Sequence, residues 1–158
     1  MKKTGLATLL LILLCCLISP ESRSQTAQPL VFDRESIFTA EEAGRIDSLL
    51  QDYFHRSNKI VAVITDTADV SDKAFHSRSI QEIARNAPPK TAVILVLLSR
   101  RRSMVNLASS ELGTGSPERF REFSEILAAG IPALKEKRRE EGVTLMCMKA
   151  MQFLEKEK

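Results

Sequence analysis

The chain has 158 residues, 44% of them hydrophobic and 27% charged, with three cysteines. That composition excludes a collagen-like, low-complexity or disulfide-dense chain and suits one globular domain behind a leader. Residues 1–24 hold three of the 23 basic and one of the 20 acidic residues, so the net charge of +3 falls to +1 beyond them, and no basic excess of the kind nucleic acid demands is left.

The leader comes first. Lys2 and Lys3 precede an apolar run from Leu6 to Ile18, 13 residues long. A membrane span needs roughly 20, so the run reads as the core of a signal peptide. Ser22 and Ser24 are small residues at the positions a signal peptidase reads, which puts cleavage before Gln25, with a cut after Ala27 as the alternative. Residues 1–24 are thus expected to be a signal peptide, 25–29 a short linker, and 30–158 a single domain. The expected location is periplasmic or secreted. Membrane association is expected only if Cys15 or Cys16 carries a lipid. Beyond the leader Cys147 is alone; its neighbours Leu145, Met146 and Met148 mark it as a buried small hydrophobe.

Leu30 to Asp33 reads as a brief extended segment. Thr39-Ala40-Glu41-Glu42 is a capping box, and Ala43, Ile46, Leu50 and Tyr53 recur at helical spacing, which predicts a helix over 40–57. Ile60 to Thr65 is apolar without alternation, the pattern of a strand covered on both faces. A polar loop from Asp66 to Asp72 follows, with Ser71 or Asp72 as helix cap. Phe75, Ser79, Ile80, Ile83 and Ala87 predict a second helix, stopped by Pro88-Pro89.

Thr91 to Leu98 reads as a second buried strand. The short polar turn Ser99-Arg100-Arg101-Arg102 then leads into a strand over 103–108, so the two form an antiparallel hairpin. The expected sheet is mixed, with one parallel crossover through the second helix and one hairpin. Ser116-Pro117-Glu118 is a helix start, and Phe120, Phe123, Leu127 and Ile131 share a face of that helix, with Pro132 at its far end. Lys135 to Glu141 reads as a solvated charge run. Val143, Met146, Cys147, Ala150, Met151 and Leu154 predict a last helix.

Three carboxylates, Asp66, Asp69 and Asp72, stand in the loop after the first central strand. Ligands of open α/β sheets favour that end, and carboxylates supply hard oxygen ligands for Ca²⁺ or Mg²⁺. Asp33 and Glu111 complete such a metal site if the fold brings them near. The other reading is a polar loop whose acids cap a helix. Arg100, Arg101 and Arg102 either contact an anion or an acidic partner through their planar donor forks, or are a solvated turn that guards a sheet edge. Gly113-Thr114-Gly115-Ser116 either seats an anion or links flexibly into the next helix. His55 and His76 lack metal-ligand spacing, and no nucleophile or phosphate-loop motif occurs.

The elements Val31-Phe32-Asp33, Ile37 to Glu42, Ile60 to Thr65, Ala92 to Leu98, Met104 to Ala108 and Ser109-Ser110-Glu111-Leu112-Gly113 follow one another in an order that resembles the TPM domain family. That family is named after a thylakoid lumen protein, a photosystem II repair protein and a nematode receptor auxiliary protein. The resemblance spans about residues 30 to 155. It implies an α/β fold, a three-layer α/β/α sandwich around a small mixed β-sheet. It also implies divalent-cation binding, acid phosphatase activity, or a role in assembling membrane complexes. Where the family has glycines after the edge strand, Ala108, Ser109 and Ser110 stand here. The expected function is that of an exported binding or accessory module for an envelope protein, with weak cation binding. A metal-dependent acid phosphatase is the alternative.

Overall fold

A computed structural model describes residues 28–110 and 117–156. The expected signal peptide with Cys15 and Cys16, the start of the expected linker, Glu111 and the Gly113–Ser116 segment lie outside the described residues. Among the described residues eight elements follow in chain order: β1 (Val31–Asp33), α1 (Ala40–Ser57), β2 (Ile60–Thr65), α2 (Lys73–Ala84), β3 (Val93–Ser99), β4 (Met104–Ser109), α3 (Pro117–Lys135) and α4 (Arg139–Lys156).

The sheet runs in the order β1-β2-β3-β4. β1 is parallel to β2, β2 is parallel to β3, and β3 is antiparallel to β4. The sequence pattern indicated one parallel crossover; β1 adds a second, through α1. Every residue of β2 and β3 is buried, so both faces of the sheet are covered. α1 lies on β1 and β2, α4 on β2 and β3, and α3 on β4, and α4 touches both other helices of that layer. α2 lies against β3 and β4 and closes the opposite face. The result is the expected three-layer α/β/α sandwich around a mixed sheet.

Local chemistry explains where the helices begin and end. Thr39 Oγ1 accepts from Glu42 N at 3.2 Å, and Glu42 Oε2 accepts from Thr39 N at 2.7 Å, so the box is closed in both directions. Asn58 adopts the left-handed conformation that stops α1, with its N–H on the Phe54 carbonyl. Asp72 caps α2 through Ala74 N at 2.9 Å. α1 and α4 are clamped by Arg45, whose Nε and Nη2 meet the two oxygens of Glu140 at 2.6 and 2.7 Å.

α3 turns most of its expected face to the core, with Phe123 buried and Leu127 and Ile131 half-buried against it, but not Phe120. Phe120 is 67% exposed, while Phe123, Ile126, Gly130 and Ala133 are buried. A glycine pair sets how closely α3 approaches its neighbour. Gly130 lies backbone to backbone against Gly142 of α4, and a Cβ on either would strike the other's carbonyl oxygen. The buried face is therefore centred on small residues, with Leu127 and Ile131 at its margin. Phe123 still reaches α4 and meets Phe153 edge to face at 5.3 Å.

The charge run between these helices is not wholly solvated chain. Lys137 takes a positive φ of 64°, Lys137 N donates to Leu134 O at 3.0 Å, and Arg138 N donates to Ala133 O at 2.9 Å. This is the Schellman arrangement, and it lets α4 start at Arg139. Cys147 is fully buried within α4, and burial pushes its thiol pKa up to about 12, so it behaves as a packed hydrophobe.

Candidate functional site

The parallel strands end side by side: Asp33 is in register with Thr65, and Thr65 with Leu98. Three loops therefore meet at one end of the sheet, namely 34–39, 66–72 and 100–103. This is the end at which open α/β sheets bind ligands.

Asp33 organises the first loop. Its Oδ1 accepts from Ile37 N at 3.0 Å and from Thr65 Oγ1 at 2.5 Å, and its Oδ2 accepts from Phe38 N at 2.9 Å. The acid is thus a knot between β1, β2 and the start of α1. Thr65 Oγ1 in turn accepts from Glu35 N at 3.1 Å.

Asp66 lies next along the rim. Its Oδ1 accepts from Ala68 N at 2.9 Å, and its Oδ2 pairs with Arg34 Nη1 at 2.8 Å. Arg34 also reaches Glu82 at 3.5 Å. Burial pushes the Asp66 pKa up, but the Ala68 amide and the Arg34 guanidinium together outweigh it, and the net shift is downward. A carboxyl with a lowered folded-state pKa stabilises the fold above its ordinary value of 3.8, and that contribution is lost as pH falls through the folded value. Asp66→Asn should therefore lower the urea midpoint at neutral pH, with the gap to the parent protein closing as the pH is taken below 3.8. A gap of constant size across that range would show that Asp66 is not held this way.

Asp69 Oδ1 accepts from Ser71 Oγ at 2.5 Å and Ser71 N at 3.0 Å, and Oδ2 pairs with Arg102 at 3.2 Å. The Ser71 hydroxyl, then its amide, and then Arg102 keep its pKa low. Asp72 is the cap of α2. Asp33, Asp66, Asp69 and Asp72 thus each hold a different piece of this rim. Among the described residues no group of three or more His, Cys, Asp or Glu side chains is arranged to hold a metal ion.

The three arginines divide in role. Arg102 pairs with Asp69, while Arg100 and Arg101 are exposed at the turn with their backbone N–H groups held by Glu35, at 2.7 and 3.3 Å. Glu35 is a residue that sequence reading missed. It stands 65 positions from Arg100, and no spacing signal links them.

A cleft was also not foreseen. It has a volume of about 470 Å³ and opens between the β3–β4 turn and the corner where α3 meets α4. Ile37, Leu98, Met104, Val105, Ile131 and Leu134 form its apolar walls. Ser99, Arg100, Ser103, Lys135 and Arg139 supply its polar groups. Ser99 is only 2% exposed, and its hydroxyl has no hydrogen-bond partner among the described residues. No sequence pattern assembles this cleft, because its walls come from four separate stretches of chain. Among the described residues no helix is long and apolar enough to cross a membrane.

No family model matches the sequence, and no curated protein does. Solved structures do share the fold. The N-terminal domain of the cg2496 protein from Corynebacterium glutamicum is 12% identical, with 83% of each chain covered and a TM-score of 0.57. The BA42 protein from the psychrophilic bacterium Bizionia argentinensis is 17% identical over 78% of this chain and 85% of that one, with a TM-score of 0.61. The N-terminal domain of a protein from P. gingivalis is 16% identical over 84% and 86%, with a TM-score of 0.59. At these identities the likeness establishes the fold alone.

Proposed function

We propose that this chain is an exported TPM-like binding module that docks on an acidic surface of an envelope protein. The observation that carries this reading is the employment of the loop-end acids. Asp33, Asp66, Asp69 and Asp72 each accept hydrogen bonds from their own chain, and those bonds shape the rim. Activation of water by a metal needs several ligand oxygens turned to a common point. A rim built from internally bonded acids favours holding a partner over turning one over. The partner contact falls to the β3–β4 turn. Glu35 fixes its backbone, and Arg101 stands exposed with a planar fork suited to carboxylates.

Two measurements test this. With Mg²⁺ or Ca²⁺ and a phosphomonoester, the purified protein should show no turnover that Asp66→Asn removes. Robust turnover abolished by that change would establish the phosphatase instead. In cross-linking on envelope fractions, the protein should capture a specific companion, and Arg101→Glu should reduce the yield about tenfold. A yield indifferent to this reversal would place the docking surface elsewhere.

A further inference from the structure

We propose that the cleft between the β3–β4 turn and the α3–α4 corner binds a single-chain amphiphile with an anionic head, a medium-chain fatty carboxylate. This goes beyond docking on an envelope protein and does not depend on it. The volume of about 470 Å³ lies within the roughly 300–1,000 Å³ typical of small-molecule sites. Such sites combine apolar walls with a few converging polar groups, and this one does. Three cationic side chains, Arg100, Lys135 and Arg139, belong to its lining, and among the described residues no carboxylate does. The near acid, Glu35, is committed to the backbone N–H groups of Arg100 and Arg101.

The head and the tail have distinct places. Ser99 and Arg100 are consecutive at the end of β3, so a hydroxyl and a guanidinium arrive at the same end of the cleft. A buried hydroxyl without a partner is costly, and a carboxylate oxygen accepts its hydrogen. Arg139 is steadied by the Ile37 carbonyl at 3.4 Å, which leaves further donors on its fork. The tail runs over Met104 and Val105 on one wall and Ile131 and Leu134 on the other. A peptide occupant would bring backbone N–H and C=O groups, each needing a partner that these apolar walls do not offer. Free phosphate would leave the apolar walls unused.

The test is a titration of the protein with decanoate, followed by amide and methyl NMR shifts. Saturable shifts are expected over residues 99–105 and 131–139. Affinity should fall about fourfold for each methylene removed on going down to hexanoate. Decanol, which lacks the charge, should bind at least about tenfold more weakly, and Arg100→Gln should weaken decanoate about tenfold while leaving decanol unchanged. Ser99→Ala should weaken decanoate with no loss of thermal stability, since it removes an unpaired hydroxyl. The proposal is overturned by absent saturation, by shifts confined to other regions, or by equal affinity for decanol and decanoate. It is also overturned if an apolar peptide with a free carboxyl terminus displaces decanoate at lower concentration. Failure here with Arg101-dependent capture intact would leave the docking module standing, and decanoate binding without such capture would leave only the cleft.

Discussion

Alanine at Gly130 is expected to destabilise the protein by about 3 kcal/mol, the upper part of the usual range for overpacking. The added Cβ would lie within the contact radius of the Gly142 carbonyl oxygen and 2.6 Å from both Cγ and Cε of Met146. Met146 is a flexible side chain and can move. The carbonyl is backbone, so only separation of α3 from α4 relieves that clash. Gly142→Ala meets the Gly130 carbonyl at 2.8 Å and Leu134 Cγ at 2.8 Å, and should cost somewhat less. Gly44 supplies the control. It is exposed on α1, and a Cβ there would have no other atom within 4 Å, so Gly44→Ala should stabilise by roughly 0.5–1 kcal/mol through helix propensity alone. Urea unfolding followed by circular dichroism reads all three. Should Gly130→Ala unfold at the parent midpoint, the close approach of the two helices would be wrong.

The second large effect is at Asp33. Its removal leaves the Ile37 and Phe38 amides and the Thr65 hydroxyl without their acceptor in a half-buried site. An orphaned buried donor costs about 1–3 kcal/mol, so Asp33→Ala should lose about 3 kcal/mol once partial access of water to the loop is allowed for. Thr65→Val removes one of the same bonds, and the double variant should lose clearly less than the two single losses combined. Simple additivity in a double-mutant cycle would refute the knot. A metal ligand behaves differently: its neutralisation spares, or even raises, the stability of the metal-free protein.

The elements that were legible in the sequence carry their signal locally. The capping box at Thr39, the unbroken apolar runs of β2 and β3 and the Asp72 cap each depend on neighbours within a few positions. On α3 the helical spacing placed Phe123, Leu127 and Ile131 on the core side, but the exposure of Phe120 and the part played by Gly130 were not legible, because apolar spacing gives nothing to a glycine. Close packing of glycine backbones is a property of two helices together. The turn at Lys137 was hidden for a related reason: left-handed positions announce themselves through Gly or Asn, and a lysine occupies this one. At the candidate site the acids were visible and their partners were not. Arg34 lies 32 positions from Asp66 and Arg102 lies 33 from Asp69, so only the sheet brings them together. The cleft is the extreme case, since it exists only once β3, β4 and the α3–α4 corner have closed.

β1 is three residues long and, among the described residues, has one neighbouring strand, β2. Asp47 of α1 accepts from the amides of Leu30 and Val31, at 2.5 and 3.2 Å. With the Val31 amide bonded by a carboxylate the edge is a poorer template for a further strand, and the negative charge repels one that tries. Asp47 thereby protects the β1 edge of the sheet. A chain in which Asp47 is lost should keep its shape but pair with a second copy along that margin, which size-exclusion chromatography would read as a dimer.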